Sequence, residues 1–197
     1  NLDFYWTAQC RGNLFTQDDD LEIMKKMREA GCLGMQYSLE SADKGILSSM
    51  KKNVLAADFQ KQTRLFHQAG IATWTSLVLG YPQETRETIN NTFEACIASN
   101  IYPSVGYLLP QPGSPMYDYA LENGYIDDEE TYLLSMGDRQ DLRINMTNIP
   151  NDEFKTLVVN HLERCNQKLN VGLKLDELIK TKHFRVPGVK ATMSQGL

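Results

Sequence analysis

The sequence has no long apolar run, no basic block and no two cysteines at metal-ligand spacing. A membrane-spanning helix needs ~20 consecutive apolar residues, and no stretch approaches that. No charged-then-apolar leader of the secretory kind opens the chain. Net charge is −5 and the lysines and arginines are scattered, so the electrostatic footprint of a nucleic-acid binder is missing. Cys10, Cys32, Cys96 and Cys165 stand far apart. The expectation is reduced thiols in a cytoplasmic protein, with no metal site among them. There is no low-complexity segment and no internal repeat beyond an alternation of strands and helices. An initiator Met is also missing: the chain opens at Asn1 and runs at once into strand-like Leu2 to Thr7. The expectation is therefore a piece of a longer protein.

What is present is a chain of 197 residues, long enough to bury a full core. After the first strand, Asp18 is a candidate N-cap. Leu21, Met24 and Met27 then recur at helical spacing, and Gly31 follows as the stop. A strand covers Gly34 to Glu40, a turn covers Ser41 to Asp43, and a short helix covers Gly45 to Met50. A longer helix spans Leu55 to Ala69, with Leu55, Phe59, Phe66 and Ala69 on its buried side and His67 as a helix-terminal cation. Ile71 to Leu79 is the next strand. Thr85 caps a helix striped by Ile89, Phe93 and Ile97. Tyr102 to Leu109 is the fourth strand, followed by helical stretches at Met116 to Asn123 and near Glu129 to Met136. Pro150-Asn151 opens a helix with Phe154, Leu157, Val158, Leu162, Cys165 and Leu169 on one side. Signals fade after Val171, and the last dozen residues are expected to be disordered.

Strands alternating with helices at this spacing imply parallel strands joined by right-handed crossovers. In the second strand, Met35, Tyr37 and Leu39 alternate with Gln36, Ser38 and Glu40. Successive strand side chains point to opposite faces, so one face carries an amide, a hydroxyl and a carboxylate. Buried parallel strands usually read as continuous apolar runs. Either the polar face lines a ligand lumen at the C-terminal end of barrel strands, or the strand is an edge facing solvent.

Three segments resemble motifs of the radical S-adenosylmethionine (SAM) enzymes. Ser38-Leu39-Glu40-Ser41, with Ile46-Leu47, Met50 and Lys51 after it, is similar to that family's "GLES" strand and the tail that follows. Gly80-Tyr81-Pro82-Gln83-Glu84-Thr85 resembles its "GlPgET" turn. Leu109-Pro110-Gln111-Pro112-Gly113-Ser114-Pro115 resembles its "P.PGT" turn. The three stand in the family's order over residues 1 to 125. Two positions depart from the pattern: Ser38 stands where many members have Gly, and Gln83 replaces a common Gly.

The resemblance implies an α/β fold: a parallel-stranded, partial TIM-type (βα) barrel fragment of about four strands with flanking helices. It divides the chain into a barrel portion, 1–125, and a helical C-terminal extension, 126–197. The family barrel has six strands, of which this chain would carry the last four. The implied parent is an iron–sulfur oxidoreductase or methyltransferase that cleaves SAM reductively to a 5′-deoxyadenosyl radical. Its cofactors would be SAM and a [4Fe–4S] cluster on a CxxxCxxC motif, with cobalamin a further candidate because similar members carry an upstream cobalamin domain. Thiolates are the ligands such a cluster needs, and no CxxxCxxC occurs here. The chain by itself is thus expected to hold no metal, contain no catalytic residue and be inactive, supplying the back wall of the SAM and substrate site.

The resemblance implies roles for Gln36, Ser38 and Glu40 against SAM, with Glu40 and Ser38 bonding its ribose or methionine portion, and for Val78 and Gly80 against adenine. In the stricter family pattern GxIxGxxE, Ser76, Val78 and Gly80 take the first, third and fifth positions, but Gln83 stands where the Glu belongs. Glu40 has a second reading as a cap for the following turn. Tyr107 and Gln111 face substrate or serve packing. The expected partner is a small-molecule substrate, with neither nucleic acid nor membrane. A homodimer through the uncovered N-terminal strand is also expected, since that strand lacks Pro and Lys and carries Phe4, Tyr5 and Trp6 in succession. The reading from another class is a non-catalytic βα module for a small metabolite or an interaction partner.

Overall fold

The computed structural model describes residues 4–137 and 139–179. Its elements run β1 (Trp6–Gln9), α1 (Asp20–Glu29), β2 (Cys32–Gln36), α2 (Lys44–Ser49), α3 (Ala56–Gln68), β3 (Ala72–Leu79), α4 (Arg86–Ala98), β4 (Pro103–Tyr107), α5 (Pro115–Glu122), α6 (Glu129–Ser135), α7 (Asn151–Lys168) and a 3₁₀ turn (Leu175–Glu177). The strands form one sheet in the order β1-β2-β3-β4, and every pair is parallel. Strand order never reverses, so every crossover winds the same way and lays its helix on the same face. The result is the wall of a partial (βα) barrel, covered outside and concave inside. Among the described residues no helix is long and apolar enough to cross a membrane.

The covered face is one continuous core. Met24 of α1, Phe59 and Phe66 of α3, Ile89 and Phe93 of α4, and Phe154, Val158 and Leu162 of α7 pack on Met35, Tyr37, Leu39, Leu77, Leu79 and Val105. Tyr37 sits between Phe59 and Phe66, with ring centroids 5.5 and 5.7 Å away. Its buried hydroxyl donates to the Thr63 hydroxyl at 2.8 Å, which is how a tyrosine meets the polar requirement of a core site. The alternation from Gly34 to Glu40 therefore resolves as expected: Met35, Tyr37 and Leu39 lie under helices, while Gln36, Ser38 and Glu40 are half-buried on the concave face.

A bulge sets that phase. Trp6 pairs with Cys32 but Thr7 pairs with Gly34, so Leu33 is an extra residue on β2. Cys32 and Met35, three apart, consequently both reach the core, while Leu33 is exposed.

The long connection after β4 builds a second, smaller core of Leu108, Leu109, Tyr117, Ala120, Ile126, Tyr132, Ile144 and Met146. It sits at the C-terminal end of β3 and β4. The chain then returns to the outer layer as α7, whose Phe154 meets Tyr107 edge-on at 5.5 Å. His161 stacks on Phe93 at 4.9 Å, and Arg164 pairs with Glu94. Beyond it, Leu178 is buried and its carbonyl accepts from the Tyr102 hydroxyl at 2.7 Å.

Several local expectations are corrected. The first strand is Trp6–Gln9 rather than Leu2 to Thr7; Leu2 falls outside the described residues. Asp18 does not cap α1. Asp19 holds that position without a side-chain bond, and the Asp18 carboxylate pairs with Lys61 at 2.9 Å. Leu55 is exposed, because it precedes the first turn of α3 and its side chain has left the helix stripe. The helix-terminal His67 bonds the Thr73 hydroxyl at 2.7 Å. The expected disorder of the last dozen residues lies outside the described residues. Thr85 caps α4 as expected, in a reciprocal bond pair with Thr88.

Candidate functional site

The concave face presents Gln36, Ser38 and Glu40 from the β2 side, Ser76 and Val78 from β3, and Ser104 and Gly106 from β4, all half-buried. Ser38 and Ser76 join hydroxyls at 2.7 Å across the strand boundary. β2 loses regular pairing after Gln36, then touches β3 once more at an isolated bridge between Glu40 and Leu77. Glu40 adopts φ +62°, a conformation that strains a non-glycine residue. Its amide donates to the Ser76 carbonyl at 3.2 Å, and its carbonyl accepts from the Val78 amide at 3.3 Å. These two bonds hold the strain and aim the carboxylate along the barrel mouth.

Glu40 is not the cap of the following turn. Asp43 caps α2, accepting from the Ile46 amide at 2.9 Å. The Glu40 carboxylate instead takes the Lys52 ammonium on one oxygen. Its second oxygen is buried and has no protein partner. A carboxylate oxygen withdrawn from water without a donor is costly, and this atom is free to accept from a hydroxyl or ammonium donor.

Three adjoining recesses open here. One of about 460 Å³ is lined by Glu40, Met50, Lys51, Lys52, Val78, Tyr81, Leu108, Leu109, Gln111, Met116 and Arg139, among others. A second, about 270 Å³, continues over Ser38, Ser76, Val78, Gly106 and Arg139. A third, about 360 Å³, lies beyond Ser38 and Lys52, against Cys10, Arg11 and Gly12. Ser38, Glu40, Val78 and Gln111 are thereby brought together. Gln36 shares the face but does not line the recesses. Tyr107 points to the helix side, buried against Phe154, and burial pushes its hydroxyl up to about 12.

Gly80 is buried beside Leu108 and Phe154 rather than in a recess. Its φ of +115° and its amide explain the glycine: the N–H donates to the Glu84 carboxylate. The acidic residue of this turn is thus Glu84, one position after Gln83. It is 3 % exposed, and one of its oxygens is buried without a partner. Burial raises its carboxyl to about 7, opposed by the backbone N–H bonds of Gly80 and Tyr81 and assisted by the charge of Asp43.

Lys52, Tyr81, Arg11 and Arg139 escaped the sequence reading. Lys52 adjoins Lys51, which the motif tail already marks, so its neighbourhood was legible. Tyr81 lies inside the quoted turn. Arg139 lies in a polar connection with no periodicity, and only the fold brings it to β4: its carbonyl accepts the Tyr107 amide at 2.6 Å, and its side chain lies over Gly106, where an added Cβ would come within 3.3 Å.

A parallel wall whose polar groups gather at the C-terminal mouth forms part of a (βα) barrel, similar in fold to the barrels of radical SAM enzymes. The fold matches that of TsrM from Kitasatospora setae, a radical SAM methyltransferase solved with cobalamin and a [4Fe–4S] cluster. The TM-score is 0.51 at 25% identity, over 59% of this chain and 23% of that one. An uncharacterized methyltransferase of Pyrococcus horikoshii is 29% identical over 126 residues, 64% of this chain and 27% of that protein. HemN from Escherichia coli, a coproporphyrinogen III oxidase described as a radical SAM enzyme, gives a TM-score of 0.48 at 13% identity over 64% of this chain and 32% of that one; archaeal Elp3 of Methanocaldococcus infernus gives 0.47 at 18% over 61% and 28%. No protein-family model matches the chain. The chain spans about a quarter of the length of its curated relative and of TsrM.

Proposed function

We propose that this chain is the later part of a radical SAM barrel, and that Ser38, Glu40 and Val78 form the wall against which the parent enzyme holds SAM and its substrate. The observation that carries this is the buried, unpartnered Glu40 oxygen at the mouth of parallel strands. Its need for a donor fits a ribose hydroxyl or the SAM ammonium. Lys52 pairs with the other oxygen, which leaves the second oxygen open as an acceptor. Val78 supplies apolar surface between Ser76 and the Tyr81 turn. SAM, when bound there, would supply a methyl group or, on one-electron reduction, hydrogen-abstracting chemistry.

The residues of this chain do not fit the cluster. A [4Fe–4S] centre needs clustered thiolates. Among the described residues no three His, Cys, Asp or Glu side chains converge to hold a metal. Cys96 and Cys165 are fully buried, and burial raises both thiols, Cys165 to about 12. The cluster thiolates would come from a CxxxCxxC segment elsewhere in the parent, and this chain alone would be inactive. Cobalamin would likewise belong to another part of the parent.

The test is expression of the whole reading frame, anaerobic cluster reconstitution and measurement of SAM binding and 5′-deoxyadenosine or methyl transfer. Glu40→Ala is expected to weaken SAM binding by at least about tenfold, with iron content unchanged. A reading frame without CxxxCxxC, or a variant with undiminished SAM affinity, would overturn the proposal in favour of a non-catalytic metabolite-binding module.

A further inference from the structure

The three recesses at the mouth are lined by more cations than anions. The chain carries a net charge of −5, yet the ionised groups lining the mouth are Arg11, Lys51, Lys52 and Arg139 against the single carboxylate of Glu40. Among the described residues, only Lys52 of these four cations has an ion-pair partner.

The cations come from three separate places, each held by backbone structure. Arg11 follows β1; its carbonyl accepts from the Gln62 amide at 2.9 Å. The adjacent Gly12 lets this loop approach β2, since an added Cβ would come within 3.2 Å of the Ser38 carbonyl. Lys51 and Lys52 end α2: Lys51 adopts φ +54° and the Lys52 amide bonds the Leu47 carbonyl at 2.9 Å, a left-handed helix stop. Arg139 is tied to the edge of β4. A helix C-terminus by itself favours lysines, which accounts for one of the three sources. It does not account for Arg11 and Arg139.

We infer that the molecule bound in the larger recess is a small organic anion with an apolar body, its carboxylate or phosphate held between Arg139 and Lys51 at the barrel mouth. Val78, Tyr81, Leu108, Leu109 and Met116 supply the apolar wall. Converging cations in a cleft of an otherwise acidic protein concentrate an anion there and draw it in from solution. SAM is itself a cation, so the patch is matched to the second reactant. The inference deepens the reading above and rests on it for the role of substrate. A nucleic acid would need a basic surface beyond this mouth, and the net charge opposes it.

The test uses the full chain, with 4-phenylbutyrate, phenyl phosphate and neutral 4-phenylbutanol as probes in ligand-observed NMR or calorimetry. The two anions are expected to bind at low salt and to weaken as salt screens the mouth, and their ranking separates carboxylate from phosphate. Binding of both anions should fall by about tenfold or more in an Arg139→Gln/Lys51→Gln double variant. Lys155→Gln, which removes an exposed cation of α7 that lines none of the three recesses, should leave it unchanged. Arg139→Lys should retain part of the binding. Equal affinity for the neutral probe, or undiminished anion binding in a folded double variant, overturns the inference. A short oligonucleotide outcompeting both anions would overturn it too. SAM titrated into wild-type and Glu40→Gln protein reads the SAM proposal separately, so either can fail while the other stands.

Discussion

The Ser38 and Ser76 hydroxyls lie 2.7 Å apart, bridging β2 and β3 on the half-buried concave face. Each hydroxyl can donate once and accept twice, so the pair retains bonding capacity for a ligand. Ser76→Ala is expected to cost the fold no more than about 1 kcal/mol, measured by urea unfolding. A loss of roughly 3 kcal/mol would show that the pair holds the sheet together rather than serving the site.

The buried Glu84 makes stability fall as pH rises. Its folded carboxyl titrates at about 7 against an ordinary value of 4.5, so between these pH values the folded state holds a proton that the unfolded chain has lost. The stabilisation is fully present below about pH 4.5 and lost as pH approaches 7, roughly 3 kcal/mol in all. Unfolding followed from pH 5 to 8 should show this decline, and Glu84→Gln should flatten it. A profile equally steep in the variant would assign the decline to another group.

Gly80 is the residue of that turn least open to substitution. At φ +115° any side chain is strained, by about 1–3 kcal/mol. Gly80→Ala should destabilise by that amount and also disturb the Gly80–Glu84 bond, steepening the pH dependence above pH 6. Wild-type stability in Gly80→Ala would show that the turn relaxes freely.

The four thiols should differ in reactivity. Cys32, Cys96 and Cys165 are buried and Cys10 half-buried, and burial raises Cys10 to about 11. Since thiolate is the reactive form, a thiol reagent at pH 8 should label Cys10 slowly and the other three only on unfolding. Rapid labelling of Cys96 in native protein would contradict the α4–α7 packing.

The chain as it stands is expected to self-associate. β1 is an edge of the sheet, Phe4 and Tyr5 before it are exposed at 60% and 77%, and nothing in Trp6–Gln9 discourages pairing. Light scattering at rising concentration should show a dimer, and Thr7→Pro should reduce it. A strictly monomeric mass at high concentration would refute it.

Element order, the parallel sheet and the two faces of β2 were legible in the sequence. They follow from local rules: helical and two-residue periodicity, glycine stops, and crossover handedness. The candidate site was legible where it falls on strands, at Ser38, Glu40 and Val78, because alternation assigns a face without any distant information. Three things were decided only by the tertiary structure. Gly80 and Glu84 bond across a turn whose conformation no periodicity records. Tyr107 shares the buried face of β4 with Val105, and what covers it there is Phe154 of α7, some fifty residues later. Arg139 entered the mouth because an aperiodic connection pairs with the edge of β4. The first depends on a local backbone conformation at φ +115°; the other two depend on contacts between residues far apart in the chain, which exist only once loops close and cores pack.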